Sequence, residues 1–192
     1  MTVGLHIVLD KPEIPGNTGN IIRLAAVTGF QLHIAGPTLF DFSDAKLKRA
    51  GLDYHDLAVL TEHQDLETTY AALGIPGAAE PNADAPEAGA APIGADHLTA
   101  SQARTPATTS PRIFAFTGEG QTRHTEIDYR PGDVLLFGRE STGLDEPAKA
   151  DPRITALVRI PMLPGRRSLN LANSVSIAVY EAWRQRSFHG AG

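Results

Sequence analysis

The stretch Asp133-Val-Leu-Leu-Phe-Gly-Arg-Glu-Ser-Thr-Gly-Leu144 indicates the fold class. Its apolar residues 134–137 are typical of a buried strand. The strand runs into Gly138, which lets a ligand approach the backbone, and Glu140 stands just beyond the strand end. We therefore predict a buried strand followed by a loop that binds a ligand.

Similar patterns recur along the chain. Further strands are predicted at 4–9, 30–35, 57–60, 113–117 and 156–162. A long turn is predicted at 11–20, and a helix from Ile21 that Asn17 or Thr18 caps and Gly29 ends. Further helices are predicted at 44–54, 62–73 and 171–186, the last with an apolar face of Ala172, Val175, Val179 and Trp183. This alternation predicts an α/β fold: a mainly parallel sheet with helices on both faces, whose ligands bind at the carboxyl ends of strands.

A change of composition occurs at about 75–111, where 20 of 37 residues are Ala, Pro or Gly. Such a stretch buries too little apolar surface to offset the entropy of ordering. We expect one domain spanning 1–192, with a flexible surface insertion in this range.

Composition excludes several classes of function. The absence of cysteine excludes disulfides, thiolate metal sites and a cysteine nucleophile, and the seven histidines show no metal-ligand spacing, so no metal is expected. No apolar run is long enough to cross a bilayer and no secretion signal begins the chain, so we expect no membrane association and a cytoplasmic protein.

The net charge of −5 is unevenly distributed. Residues 151–192 hold six basic and two acidic side chains, and all six basic ones are arginines. Arginine suits bidentate phosphate contacts, so this segment is compatible with a nucleic-acid partner, although a solvated surface would have the same composition. The basic residues of this segment are Arg153, Arg159, Arg166, Arg167, Arg184 and Arg186.

Common cofactor and hydrolase signatures are missing. The chain has no G-x-G-x-x-G after its first strand, no phosphate loop of the G-x-x-x-x-G-K-[ST] type and no G-x-S-x-G elbow. Three other stretches place Asn, Arg, Glu or Ser at junctions between strand and helix, where such a sheet forms its pocket. They are Asn17 to Arg23, Phe137 to Leu144 and Ile160 to Asn173.

In this order the three stretches resemble the motifs of the SPOUT RNA methyltransferases, and in detail the family of tRNA (cytidine/uridine) wobble 2′-O-methyltransferases. The resemblance covers Pro12 to Arg23, Arg49 to Tyr54, Phe137 to Glu140 and Ile160 to Gln185, and excludes the insertion. It implies a C-terminal trefoil knot that binds S-adenosyl-L-methionine (SAM) and releases S-adenosyl-L-homocysteine. The cofactor residues implied are Phe116, Thr117, Gly118, Gly138, Glu140, Ile160, Met162, Ser168 and Leu169.

The resemblance also implies a homodimer acting on tRNA, with Arg23 completing the site of the other subunit. The catalytic and substrate-orienting set would be Arg23, Asn17, Glu140, Ser168 and Asn170. A guanidinium has no acceptor, so Arg23 is expected to position a phosphate or hydroxyl, while Glu140 is chemically able to accept a proton.

Two positions differ from the family pattern: Glu119 stands where a lysine is usual, and Thr142 where a basic residue is common. Arg139 and Arg166 are nearby sources of positive charge. The alternatives are a SPOUT 2′-O-methyltransferase acting on another tRNA position or on ribosomal RNA, and an inactive RNA-binding relative.

Overall fold

The computed structural model describes residues 4–40, 60–77 and 110–192. The strands in these ranges are β1 (His6–Asp10), β2 (Gln31–Ala35), β3 (Leu60–His63), β4 (Ile113–Phe116), β5 (Thr122–Arg123), β6 (Val134–Phe137) and β7 (Ile154–Arg159). These seven strands are parallel and form one sheet in the order β3-β2-β1-β6-β4-β7-β5. The helices are α1 (Pro15–Thr28), α2 (Leu66–Ala72), α3 (Glu146–Lys149) and α4 (Leu171–Gln185).

Alternating side chains of the central strands form two hydrophobic clusters, one on each face of the sheet. Leu135 and Phe137 of β6 join the cluster that contains α1 and α4. Val134 and Leu136 of the same strand join the cluster with Tyr70 of α2 and Ala148 of α3. The predicted parallel sheet with helices on both faces is thus confirmed.

The predicted apolar face of helix α4 packs against the hydrophobic core of its own chain. Val175 and Val179 are fully buried against the sheet, and Trp183 is partly buried there. Other apolar side chains of this helix, Ile177 and Tyr180, remain exposed. The predicted apolar face therefore stabilises the subunit and is not the surface available to a partner.

The start of α1 was predicted wrongly. The helix begins at Pro15, inside the predicted long turn, and its N-cap is Ile14 without a side-chain cap. Asn17 and Thr18 are buried within the helix instead of capping it. Proline is favourable at the first helical position because its fixed φ is compatible with the helix and its missing N–H is not needed there. Gly29 ends the helix at a φ of 73°, as predicted.

Other boundaries also differ. The first strand ends at Asp10 rather than Leu9, and β3 continues to His63, past the predicted end at Leu60. Glu62 and His63 lie in that strand instead of the next helix, and β7 spans Ile154–Arg159 rather than 156–162. The short elements β5 and α3 were not predicted, because two and four residues show no periodicity.

Several predictions fall on residues outside the described ranges. They are the helix at 44–54 with its motif Arg49 to Tyr54, the start of the strand at 57–60, and most of the insertion. Ile75, placed at the start of the insertion, is 6% exposed and packs in the cluster with Tyr70, so the core extends at least to this residue. Within the described ranges, no helix combines the length and apolarity needed to cross a bilayer.

Candidate functional site

A cavity of about 360 Å³ lies at the carboxyl ends of β4, β6 and β7. This volume is typical of sites for small molecules. The rings of Phe116 and Phe137 stack at 4.5 Å in its wall, and Leu171 of α4 also contributes. All nine predicted cofactor residues line it: Phe116, Thr117, Gly118, Gly138, Glu140, Ile160, Met162, Ser168 and Leu169.

Gly138 allows the loop after β6 to fold back on itself. A Cβ atom at this position would lie 2.2 Å from the carbonyl carbon of Gly143 and from the backbone nitrogen of Leu144. The backbone N–H of Gly143 donates to the carbonyl of Arg139 at 2.9 Å, and Gly143 has a φ of 72°. These two glycines therefore close the loop that presents Glu140 to the cavity.

The carboxylate of Glu140 holds the start of α1. It accepts hydrogen bonds from the backbone N–H of Glu13 at 2.7 Å and of Ile14 at 3.2 Å, and from the side-chain amide of Asn17 at 3.0 Å. Helix α1 lacks a cap of its own, so a carboxylate far away in the sequence supplies acceptors at its N-terminus. Both oxygens of Glu140 are engaged in this contact.

Asn17 connects Glu140 with the start of α4. Its side-chain oxygen accepts a hydrogen bond from the amide of Asn170 at 2.9 Å. Asn170 is also the N-cap of α4, because its side-chain oxygen accepts from the backbone N–H of Asn173. The three predicted stretches thus meet in one chain of hydrogen bonds, Glu140–Asn17–Asn170.

Glu13 and Ser141, which belong to neither the predicted catalytic set nor the predicted cofactor set, strengthen this junction. The carboxylate of Glu13 accepts from the hydroxyl of Ser141 at 2.9 Å and from its backbone N–H at 3.0 Å. These hydrogen bonds lower the pKa of Glu13, the one from the hydroxyl most. Glu13 and Ser141 are 128 positions apart, so spacing within the sequence gives no signal for their contact.

Lys149 supplies positive charge to the cavity wall. Its ammonium group lies 2.7 Å from Glu119 and 2.6 Å from Glu146, and its side chain is 12% exposed. The hydrogen bond with Glu119 is the main cause that raises the pKa of Lys149. The departure from the family pattern at Glu119 is therefore accompanied by a lysine from α3 in the same wall.

Ser168 and Arg23 are the two predicted catalytic residues that do not belong to the chain Glu140–Asn17–Asn170. Ser168 lies in the cavity wall, and its hydroxyl makes no hydrogen bond with the residues that the structure describes. Arg23 is exposed on α1 and is not part of the described cavity wall. Because it follows Asn17 by six residues, it lies about 9 Å further along the helix and about 240° around it. The isolated chain therefore brings four of the five predicted catalytic residues to one place and leaves Arg23 outside.

No group of three metal-ligating side chains that could hold an ion occurs among the described residues. The cavity wall offers side-chain hydroxyls, backbone groups, two acidic side chains and two basic ones. Such a cavity can bind a polar organic molecule and orient a second substrate at its rim.

Comparisons with known proteins agree with the geometry. The model of the SpoU rRNA methylase family matches residues 4–80 and 94–180. The tRNA (cytidine(34)-2′-O)-methyltransferase of Methylovorus glucosotrophus is 42% identical over 185 residues, covering 96% of this chain and 97% of the relative. The enzyme of the same description from Escherichia coli is 41% identical over 189 residues, covering 97% of each chain.

Solved structures show the same fold. One solved structure is described as "Structural insights into the 2-OH methylation of C/U34 on tRNA". Its sequence is 36% identical and its TM-score is 0.70, and the match covers 98% of this chain and 100% of that chain. A SpoU methyltransferase from Streptomyces viridochromogenes in complex with AdoMet has a TM-score of 0.71 at 24% identity, over 100% of this chain and 60% of that one. At 24% identity this second likeness concerns the fold alone.

The resemblance to the SPOUT methyltransferases is confirmed by a match across both halves of the chain and by relatives aligned over nearly their whole length. The protein therefore belongs to the SpoU rRNA methylase family.

Proposed function

We propose that the protein transfers a methyl group from SAM to the ribose 2′-hydroxyl of the wobble nucleotide, cytidine or uridine, of a tRNA. The observation that carries this proposal is the junction of the three stretches in one chain of hydrogen bonds, Glu140–Asn17–Asn170, which meets the cavity at Glu140. Relatives named as enzymes of this reaction, aligned over 97% of their length, support the choice of substrate.

The cavity fits the proposed cofactor. Apolar side chains such as Ile160, Met162 and Leu169 can contact an adenine, and the hydroxyls of Thr117 and Ser168 can bond its polar groups. Gly118 leaves room beside the backbone, since a Cβ atom there would have no heavy atom within 4 Å. When bound, SAM supplies an electrophilic methyl group and leaves as S-adenosyl-L-homocysteine. The family resemblance further supports a trefoil knot around this cavity and a single domain, with an insertion within 75–111.

We assign Glu140, Asn17 and Asn170 to positioning. Because Glu140 already accepts three hydrogen bonds, its main task is to hold the start of α1 against the loop 138–144. Ser168 has a hydroxyl that is not engaged with the described residues, so it is the member of the set best placed to bond a ligand. Methyl transfer to the 2′-hydroxyl requires in-line placement, exclusion of water and removal of the hydroxyl proton. Glu140 accepts this proton, directly or through another group, and no metal is needed for this division of tasks.

A homodimer would bring Arg23 to the site. Arg23 lies away from the cavity of its own subunit, so we propose that Arg23 of the partner subunit orients the target nucleotide there. Exposed apolar side chains on α1 and α4, Val27, Ile177 and Tyr180, offer a surface for this assembly, and the two helices belong to one cluster. A tRNA substrate would place the reaction in the cytoplasm.

The proposal is tested by incubating the purified protein with tRNA and SAM carrying a tritiated methyl group, and by mapping the label. Label on the ribose at position 34 is expected. Label confined to another tRNA position or to ribosomal RNA would replace this substrate with that one. Binding of RNA without any label would indicate an inactive relative.

Arg23→Ala is expected to abolish turnover and to leave SAM binding nearly unchanged, because Arg23 is not in the cavity wall of its own subunit. Calorimetry with SAM and the tritium assay measure the two effects separately. Arg130→Ala is the matched control, since Arg130 is an exposed arginine paired with Asp128 and lies outside the cavity. A substantial loss of SAM binding in the Arg23 variant would contradict this assignment.

A further inference from the structure

A second cavity of about 440 Å³ adjoins the first. The two cavities share Gly118, Ile160 and Met162, so a molecule in one lies beside a molecule in the other. The remaining walls of the second cavity are two arginines, a threonine and two apolar residues. They are Arg123, Thr125, Arg159, Pro161 and Leu163.

Two arginines stand directly opposite each other in this cavity. Arg123 of β5 is paired with Arg159 of β7 in the parallel register. Side chains of directly paired residues point to the same side of a sheet, and like charges in this position destabilise it. The arrangement therefore has an energetic cost that an anion bound between the two guanidinium groups would remove.

The protein itself does little to neutralise this pair. Arg159 makes no hydrogen bond or ion pair with any residue in the described ranges. Among the described residues, Arg123 forms one ion pair, with Glu126 at 3.8 Å, and both of these side chains are more than half exposed. An exposed ion pair at this distance contributes little. The guanidinium of Arg159 is thus available to an external anion.

An apolar surface lies beside the arginines. It consists of Pro161, Met162 and Leu163, and the Leu163 side chain is 73% exposed. Guanidinium groups match the geometry of phosphate oxygens, and flat or apolar surfaces beside them suit unstacked bases. The second cavity can therefore bind a phosphate at its arginines and a base at its apolar surface.

We propose that this second cavity binds a nucleotide that flanks the methylated one, with its phosphodiester between Arg123 and Arg159 and its base over Pro161–Leu163. This inference rests on the proposed function, because it takes the ligand to be the same RNA. The shared wall places this nucleotide next to the first cavity, so the contact would fix the register of the RNA relative to the transferred methyl group.

The test compares Arg159→Gln with wild type and with Arg130→Gln as matched control, using a labelled anticodon stem–loop RNA in the presence of S-adenosyl-L-homocysteine. Fluorescence anisotropy gives the Kd over about 50 to 200 mM potassium chloride. Arg159→Gln is expected to raise the Kd about tenfold and to reduce the slope of log affinity against log salt by about 0.7, the value for one contact to a single strand. Arg159→Lys should keep most of the slope, since the charge remains.

Steady-state kinetics provide a second readout. The KM for RNA should rise in Arg159→Gln while kcat and SAM binding stay near wild type, because the contact orients RNA and touches no reacting atom. If Arg130→Gln raised the Kd and the KM for RNA as much as Arg159→Gln does, the effect would be a general electrostatic attraction of RNA, and the proposal would be overturned. Loss of SAM binding, which would assign the arginine to the cofactor, or displacement of the RNA by inorganic phosphate at similar concentration would also overturn it.

Failure of the proposed function would look different. In that case the wild-type protein would label no RNA at all. If wild type methylates RNA but Arg159→Gln binds and turns over RNA as wild type does, the second cavity alone is refuted.

Discussion

Gly138 has no room for a side chain, although it lies in the wall of a cavity. Gly138→Ala would place its Cβ 2.2 Å from backbone atoms of residues 143 and 144, which cannot move as a flexible side chain can. We expect a loss of at least about 2–3 kcal/mol of unfolding free energy, as overpacking against backbone typically costs. Urea unfolding measures this loss.

Gly118→Ala is the control for that prediction. Gly118 lines the same cavity, but a Cβ atom there would have no heavy atom within 4 Å. Its unfolding midpoint should stay close to wild type. Equal midpoints for the two alanine variants would contradict the steric argument.

Single residues of the site were predictable to different degrees. Gly138 and Asn170 follow from local rules, because a glycine after a strand and an asparagine before a helix have known uses. The contact of Glu13 with Ser141 has no such local sign, since it depends on how distant loops meet. The availability of Arg159 likewise depends on its neighbours in space, which its position in the sequence does not specify.

At the scale of elements, β1, β2 and β3 carry a row of histidines. Nδ1 of His6 lies 3.1 Å from Nε2 of His33, and Nδ1 of His33 lies 3.0 Å from Nε2 of His63. Burial is the main cause that lowers the pKa of His33, to about 4, and His6 and His63 add to it by their charge. Burial also lowers the pKa of His6 and of His63, so each of the three imidazoles favours its neutral form more than it would in water.

This row predicts a loss of stability in acid. The pKa of His33 falls from its usual 6.5 to about 4 on folding, so between these pH values the unfolded chain binds more protons than the folded one. The unfolding free energy should thus decrease as the pH falls from about 6.5 to about 4. Urea unfolding over this range measures it.

His33→Gln should flatten that dependence, whereas His189→Gln, at an exposed position near the C-terminus, should preserve it. A wild-type stability that stays constant over the same pH range would contradict the effect of burial.

The elements also show why their ends were harder to predict than their existence. Pro15, Gly16 and Asn17 have the composition of a turn, yet the contacts with Glu140 allow the helix to start there. The helix α4 was predicted almost to the residue, because its apolar period is long and Asn170 caps it. Tertiary contacts therefore set the start of α1, whereas the local sequence pattern sets the bounds of α4.

For the whole molecule, the proposed dimer makes a direct prediction. Ile177→Asp would place a charge on the exposed apolar surface of α4 and should shift the protein to a monomer in sedimentation experiments. Methylation should be lost, because Arg23 would no longer reach the other subunit, while SAM binding should persist.

Ala71→Asp is the matched control for assembly. It adds the same charge at an exposed position of α2, on the opposite face of the sheet. This variant should keep the sedimentation behaviour of wild type. A wild-type protein that sediments as an active monomer would refute the assignment of Arg23 to a partner site.

The fold class was predictable from the sequence, but the order of the strands in the sheet was not. Apolar strands alternating with helices gave the parallel sheet with two covered faces, because each strand must bury both sides. The position of β4 between β6 and β7 depends on long-range pairing, and no local pattern encodes it. Resemblance to a family, rather than periodicity, supplied the expected path of the chain around the cavity.

Trp183, the single tryptophan of the chain, lies in α4 close to the C-terminal residues. Its ring contacts Tyr180 on one side and Phe188 on the other, with ring centres 5.7 and 5.4 Å apart, and its indole N–H donates to the carbonyl of His189. Emission from this indole consequently arises from one place only. The protein thus has an intrinsic optical probe of the contact between α4 and residues 188 and 189, which needs no attached dye.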